Sequence, residues 1–162
     1  MKFQTTLAVT PDELFDRLMA SVAWDWEEAT GKKRSAANVR QGTSYRKSLR
    51  TKMGGQQSVR VSVTGLERPH DGRAIYEARF EAPGTVNTIR YELVARAGEA
   101  PGTQVSYEER CETTGRWGRA NAAVTGFLYG RRAQKRVRQG LQQMEGWILA
   151  NRDSHQPGQE DQ

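Results

Sequence analysis

Between residues 43 and 114 the hydrophobic period is two, and turn-forming residues interrupt it at short intervals. No other feature constrains the fold as tightly. Five segments alternate in this way: 43–52, 58–67, 74–82, 85–96 and 103–114. Their separators are rich in glycine and proline, including Gly54-Gly55, Pro69 to Gly72, Pro83-Gly84, and Gly98 to Gly102. Separators this short cannot carry a crossover helix, so consecutive strands must pair antiparallel as a meander. The alternation also assigns faces. Val59, Val61 and Val63 share one side, as do Tyr76, Ala78 and Phe80, and likewise Ile89, Tyr91, Leu93 and Ala95. One face of the sheet is therefore covered and the other meets water.

The flanking segments have helical period. After a first strand over 3–9, Thr10-Pro11-Asp12-Glu13 forms a helix start: threonine caps, proline suits the first turn, and Glu13 completes a capping box. Leu14, Phe15, Leu18, Met19 and Val22 then recur at helical spacing, which predicts a helix over 11–23. Residues 31–34 form a basic loop, and 35–40 can hold a short helix at most. From 119 to 151 the period is again helical, with Ala123, Phe127, Gly130, Gln134, Val137, Leu141, Met144 and Ile148 along one seam. Gly126 and Gly130 weaken that helix by about 1 kcal/mol each, which makes a break or kink there an expectation. Residues 153–162 read as a disordered polar tail, leaving 1–152 as one domain.

The order of strand, helix, basic connection, five-strand meander and long last helix resembles the helix-grip fold of the START-like superfamily (SRPBCC), which includes the birch pollen allergen. The resemblance covers residues 2–150, and its most specific part is the opening FQTTLAVTPDELFDRL. Gly42-Thr43-Ser44-Tyr45-Arg46-Lys47 resembles the start of the second strand in a small bacterial family known chiefly as a domain of unknown function. The resemblance implies an α+β fold: a curved antiparallel sheet of about six strands wrapped around the C-terminal helix, with a cavity between them. It also implies an apolar or amphipathic, lipid-like ligand in that cavity. The superfamily has no universal catalytic motif, so it transfers no catalytic residue.

The chain of 162 residues carries a formal charge of +6, and its distribution says more than its sum. Residues 29–66 hold nine bases and no acid, and residues 113–144 hold seven bases and no acid. Such blocks either lie against the acidic remainder or meet an anionic partner. The helix segment RRAQKRVR, with Arg131, Arg132, Lys135, Arg136 and Arg138, forms a basic surface. Its bland reading is a solvated helix face. Its functional reading is a module for nucleic acid or an acidic protein, though no zinc finger, helix-turn-helix or RNA-recognition motif accompanies it.

Metal and nucleophile chemistry find little support. His70 and His155 sit in a turn and a tail, and the single cysteine, Cys111, lacks any ligand spacing and reads as a half-buried strand residue. No cofactor and no metal site are expected. The absence of a long apolar run and of a signal peptide points to a cytoplasmic protein without a membrane span.

Two ionisable residues fall in the covered phase of their strands. Lys47 shares a face with Tyr45 and Leu49, and Glu109 shares one with Val105, Tyr107 and Cys111. A buried charge needs a partner, so each must find one in the protein or in a ligand, unless a bulge or an edge lets it turn outward. The cavity candidates are Tyr45, Lys47, Tyr76, Phe80, Tyr91, Tyr107, Glu109 and Phe127, with Lys47 a head-group anchor for a carboxylate or phosphate. Trp24, Trp26, Phe127 and Trp147 read as core, and Trp117, Phe127 and Tyr129 cluster where a portal can open. Three function classes follow: a small-molecule binder, a basic surface module, and a cavity enzyme with Lys47 and Glu109 as acid–base groups. The lack of a catalytic motif weighs against the third.

Overall fold

The computed structural model describes residues 1–50, 56–98, 102–113 and 116–153, with side chains described outside 49–50, 116–132 and 153. In chain order the elements are β1 (Lys2–Leu7), α1 (Pro11–Thr30), a short 3-10 turn (Ala36–Asn38), β2 (Ser44–Arg50), β3 (Gln56–His70), β4 (Arg73–Ala82), β5 (Thr85–Ala95), β6 (Thr103–Thr113) and α2 (Arg116–Asp153). The strands form one curved antiparallel sheet in the order β1-β6-β5-β4-β3-β2. The meander runs back across the sheet, and β1 closes its far edge against β6. The architecture is the helix-grip fold that the resemblance implied.

The predicted strand faces hold, with one local correction. A bulge between Val63 and Gly65 shifts the phase of β3, so Leu66, an even-numbered residue, joins the face begun by Val59, Val61 and Val63. Gly65 sits there because a Cβ would meet Glu77 Cβ at 3.1 Å. β3 also runs on to His70, where Asp71 (φ 48°) and Gly72 (φ 72°) make a two-residue turn into β4. Positive φ at both central positions is the geometry that matches strand twist in a tight hairpin. The expected Gly54-Gly55 turn and the tail from 154 lie outside the described residues.

α1 begins as predicted. Thr10 N–H donates to Glu13 Oε2 at 2.8 Å, and Glu13 N–H donates to Thr10 Oγ1 at 3.3 Å. It does not stop at Ala23, however, but runs to Thr30 and is closed by Gly31 in the left-handed region, whose N–H donates to Glu27 O. The sequence disguises this last stretch. Asp25, Glu27 and Glu28 oppose the helix dipole at its negative end, and no base offsets them from the last turn. α2 spans Gly126 and Gly130 as a single helix, so the expected break does not occur.

The covered face of the sheet receives both helices. α1 packs on β2 to β5, while α2 packs on β1, β6 and α1. Leu14, Phe15, Leu18, Met19 and Val22 of α1 join Phe3, Leu7, Val63, Ala74, Ala78, Leu93 and Val105 of the sheet, and α2 adds Leu141 and Ile148. Each of the larger side chains among them contributes roughly 1.5–3 kcal/mol on burial. Val137 and Met144 lie partly buried against the same core, as the seam predicted. Thr103, fully buried, satisfies its hydroxyl on Val9 O at 2.6 Å. Arg152 binds both carboxylate oxygens of Glu13, joining the ends of the two helices and holding that carboxyl down to about 2.

Two tryptophans leave the core assigned to them. Trp24 is 64% exposed and Trp147 50% exposed. Trp24 lies seven residues beyond Arg17, on the α1 face turned from the sheet, and Arg17 stacks its guanidinium on the Trp147 ring at 4.2 Å. Trp26 is half-buried under Arg34, 3.8 Å from its ring centre. Cys111, expected half-buried, is exposed near the end of β6.

Candidate functional site

Strand register converts the alternating pattern into rows across the covered face. One row runs Phe3, Tyr107, Tyr91, Tyr76, Leu66. The next holds Glu109, Ile89, Ala78 and Val63, and a third holds Cys111, Asn87, Phe80, Val61 and Tyr45. The tyrosine row is continuous: Phe3 lies 5.2 Å from Tyr107, Tyr107 4.9 Å from Tyr91, and Tyr91 6.2 Å from Tyr76, ring centre to ring centre. Such spacing suits edge and offset ring contacts. Leu93 and Val105, on one side of that row, are fully buried, whereas Asn87, Ile89 and Phe80 on the other are only half-buried. The covered face is dry at one end and more open at the other.

At the β2 edge the extended part of α1 delivers Asp25. Lys47 Nζ donates to both its carboxylate oxygens, at 2.9 and 2.8 Å, and Tyr45 OH donates to Oδ2. The ammonium also stands 5.8 Å from the centre of the Phe80 ring. Lys47 therefore does not turn into bulk water: its side chain is 21% exposed and that of Asp25 27%. Its partner is a residue the sequence reading passed over. An open cleft of about 450 Å³ lies alongside, between Asp25, Arg46, Lys47 and Ser58.

Toward the β6 side stands a second carboxylate. Glu109 Oε1 accepts from Asn87 Nδ2 at 2.7 Å, and Oε2 accepts from Tyr107 OH at 3.3 Å. Asn87 Oδ1 is buried and has no donor among the described residues. Asn87 also escaped the sequence reading, although its even spacing from Ile89 and Tyr91 placed it in phase.

Burial dominates the acidity of the tyrosines between these carboxylates. It pushes Tyr91 up to about 12, with the Glu109 charge adding to the effect. Tyr76 is raised by burial first, then by Tyr91 and Asp25, and Tyr107 by burial first, then by Glu109. Tyr45 rises likewise through burial and its bond to Asp25. All four are neutral hydroxyls at physiological pH and act as donors or acceptors, not as bases. Among the described residues, no hydrogen bond to the Tyr76 or Tyr91 hydroxyl is present.

The structure thus gathers Tyr45, Lys47, Tyr76, Phe80, Tyr91, Tyr107 and Glu109 on one face, with Lys47 and Glu109 in separate clusters. The side chains of Phe127, Arg131, Arg132, Trp117 and Tyr129 lie outside those described. Lys135, Arg136 and Arg138 are all exposed; Arg138 also sits 4.9 Å from the centre of the Phe3 ring and donates to Gln4 O at the β1 edge. His70 is exposed beside Asp71. Among the described residues, no group of three His, Cys, Asp or Glu side chains comes together as a metal site. No helix among them is long and apolar enough to cross a membrane.

A single antiparallel sheet gripping a long C-terminal helix, with aromatic and polar side chains on its covered face, defines a helix-grip domain. Residues 1–130 match the family model described as Domain of unknown function (DUF3284), and the chain belongs to that family. Solved structures share the fold at low sequence identity. A conserved protein from Geobacillus kaustophilus is 15% identical with a TM-score of 0.57, over 92% of this chain and 94% of its own. The Staphylococcus aureus protein of unknown function SA2116 is 11% identical with a TM-score of 0.56, over 96% of both chains. Ara h 8.0201 is 12% identical with a TM-score of 0.50, over 93% of this chain and 97% of its own. No curated protein matches the sequence.

Proposed function

We propose that this protein binds a small apolar or amphipathic molecule against the covered face of its sheet, beneath the C-terminal helix. The observation that carries the reading is the row of Tyr107, Tyr91 and Tyr76, which places polar tips along a largely apolar face. A core that only had to fold would fill these positions with leucine or phenylalanine, which carry no polar group that needs a partner. Two of the three hydroxyls have no hydrogen bond among the described residues. The half-buried Ile89 and Phe80 beside the row extend the apolar wall toward its more open end, with the polar Asn87 between them. Walls of this kind, mostly apolar with a few placed polar groups, are what small-molecule sites require.

Lys47 enters this reading in a changed role. Its ammonium already holds Asp25, so an acidic head group would have to share it rather than claim it. Native mass spectrometry of the purified full chain tests the proposal. The expected spectrum contains a complex heavier than the chain, whose ligand leaves on denaturation. A spectrum of bare chain, with no mass gained on adding octanol or another small amphiphile, would overturn it.

A further inference from the structure

We infer that the Glu109 cluster recognises a protonated amine carried on an apolar body. The inference rests on the binding reading above and specifies its ligand. Glu109 is held by two neutral donors, Asn87 Nδ2 and Tyr107 OH. Among the described residues no cationic side chain lies within ion-pair distance of its carboxylate. The nearby ammonium of Met1 is directed to the Glu109 backbone carbonyl, at 2.6 Å. Asn87 has turned its amide N–H toward Glu109, which leaves its Oδ1 buried without a donor among the described residues. The cluster therefore presents acceptors only: a carboxylate and, beside it, an amide oxygen.

The other end of the same face shows how this protein completes such a group. Asp25 accepts a hydrogen bond from the Tyr45 hydroxyl, as Glu109 does from Tyr107, and is then paired with the ammonium of Lys47, which stands over the Phe80 ring. Glu109 has the carboxylate, the tyrosine and the aromatic wall of Tyr91 and Tyr107, and lacks only the ammonium. An R–NH₃⁺ group supplies three protons and no acceptor, which matches an acceptor-only site. The tyrosine ring faces add a cation–π attraction. An alcohol brings a single proton, and a carboxylate ligand would meet Glu109 as a like charge. One carboxylate and one amide oxygen fall short of the ligand set a calcium ion takes, so an organic cation fits better than a metal.

The test compares three probes of one length, n-octylamine, n-octanol and n-octanoate, titrated at neutral pH into the full chain and followed by the NMR signals of the Asn87 side-chain amide. The amine is expected to bind roughly tenfold tighter than the alcohol, and the acid weakest. Glu109→Gln is expected to remove the amine's advantage over the alcohol. Equal binding of amine and alcohol would overturn the inference while leaving the cavity reading intact. Tightest binding of the acid would overturn it in favour of Lys47. Failure of all three to bind would remove the cavity reading and this one with it. The wild-type series decides the matter even if the variant folds poorly.

Discussion

The two carboxylates on the covered face solve the same problem differently. Asp25 arrives on a helix and meets an edge strand, where Lys47 and Tyr45 complete it. Glu109 sits within the sheet and, among the described residues, has neutral donors only and an unpartnered amide oxygen beside it. The first cluster is complete, joins α1 to β2 and serves the fold. The second is satisfied as far as neutral groups can manage and leaves its charge without a counter-charge among the described residues. Electrostatic completeness, more than residue type, separates a structural pair from a receptive one.

The largest expected break in this comparison is a stability difference between the two carboxylates. Asp25→Ala strands a half-buried ammonium and the Tyr45 hydroxyl, and costs about 2–3 kcal/mol in urea unfolding. Glu109→Gln removes a charge that has no cationic partner among the described residues and keeps an acceptor for Tyr107, so its cost stays within about 0.5 kcal/mol. Equal losses would dissolve the distinction. A second contrast lies in alkali. Tyr91 has an ordinary value of 10.0 and is raised to about 12, so its contribution to stability is complete below pH 10 and is lost as pH climbs toward 12. Glu109→Gln should lower the titration of Tyr91 and Tyr107 but leave it above 10, because burial is the larger cause, and should leave Tyr45 unmoved. Asp25→Asn should do the reverse, lowering Tyr45 and sparing Tyr107. Tyrosinate absorbance against pH reads both.

The smallest effect calibrates the other two at a site away from the face. Glu13 falls from 4.5 to about 2 through its bond to Arg152, so the stability it contributes is present above pH 4.5 and is lost as pH falls through about 2. Solvent reaches both side chains, which limits the contribution to about 1 kcal/mol. Arg152→Met should flatten the acid limb of the stability curve by that amount without touching either cluster on the sheet.

The strand faces were readable because a period of two leaves little freedom: Tyr45 and Lys47, or Tyr107 and Glu109, must project together wherever the sheet lies. What completes them was hidden for physical reasons. Asp25 pairs with Lys47 across 22 positions and from another element, on a helix end whose acids argued against any helix at all. Asn87 was in phase but has no charge to mark it. Trp24 and Trp147 misled in the other direction, since a large ring suggests burial while its place on the helix decides it. Helix spacing does put Trp24 on the Arg17 side, but only once α1 is known to continue past Ala23.

The most direct test of binding on the covered face is the location of a bound molecule. Intermolecular NOEs from the methylene protons of added octanol should reach the ring protons of Tyr76, Tyr91 and Tyr107 together with the Ile89 methyls. NOEs confined to exposed Trp24 and Trp147, with the tyrosine rings silent, would contradict the account.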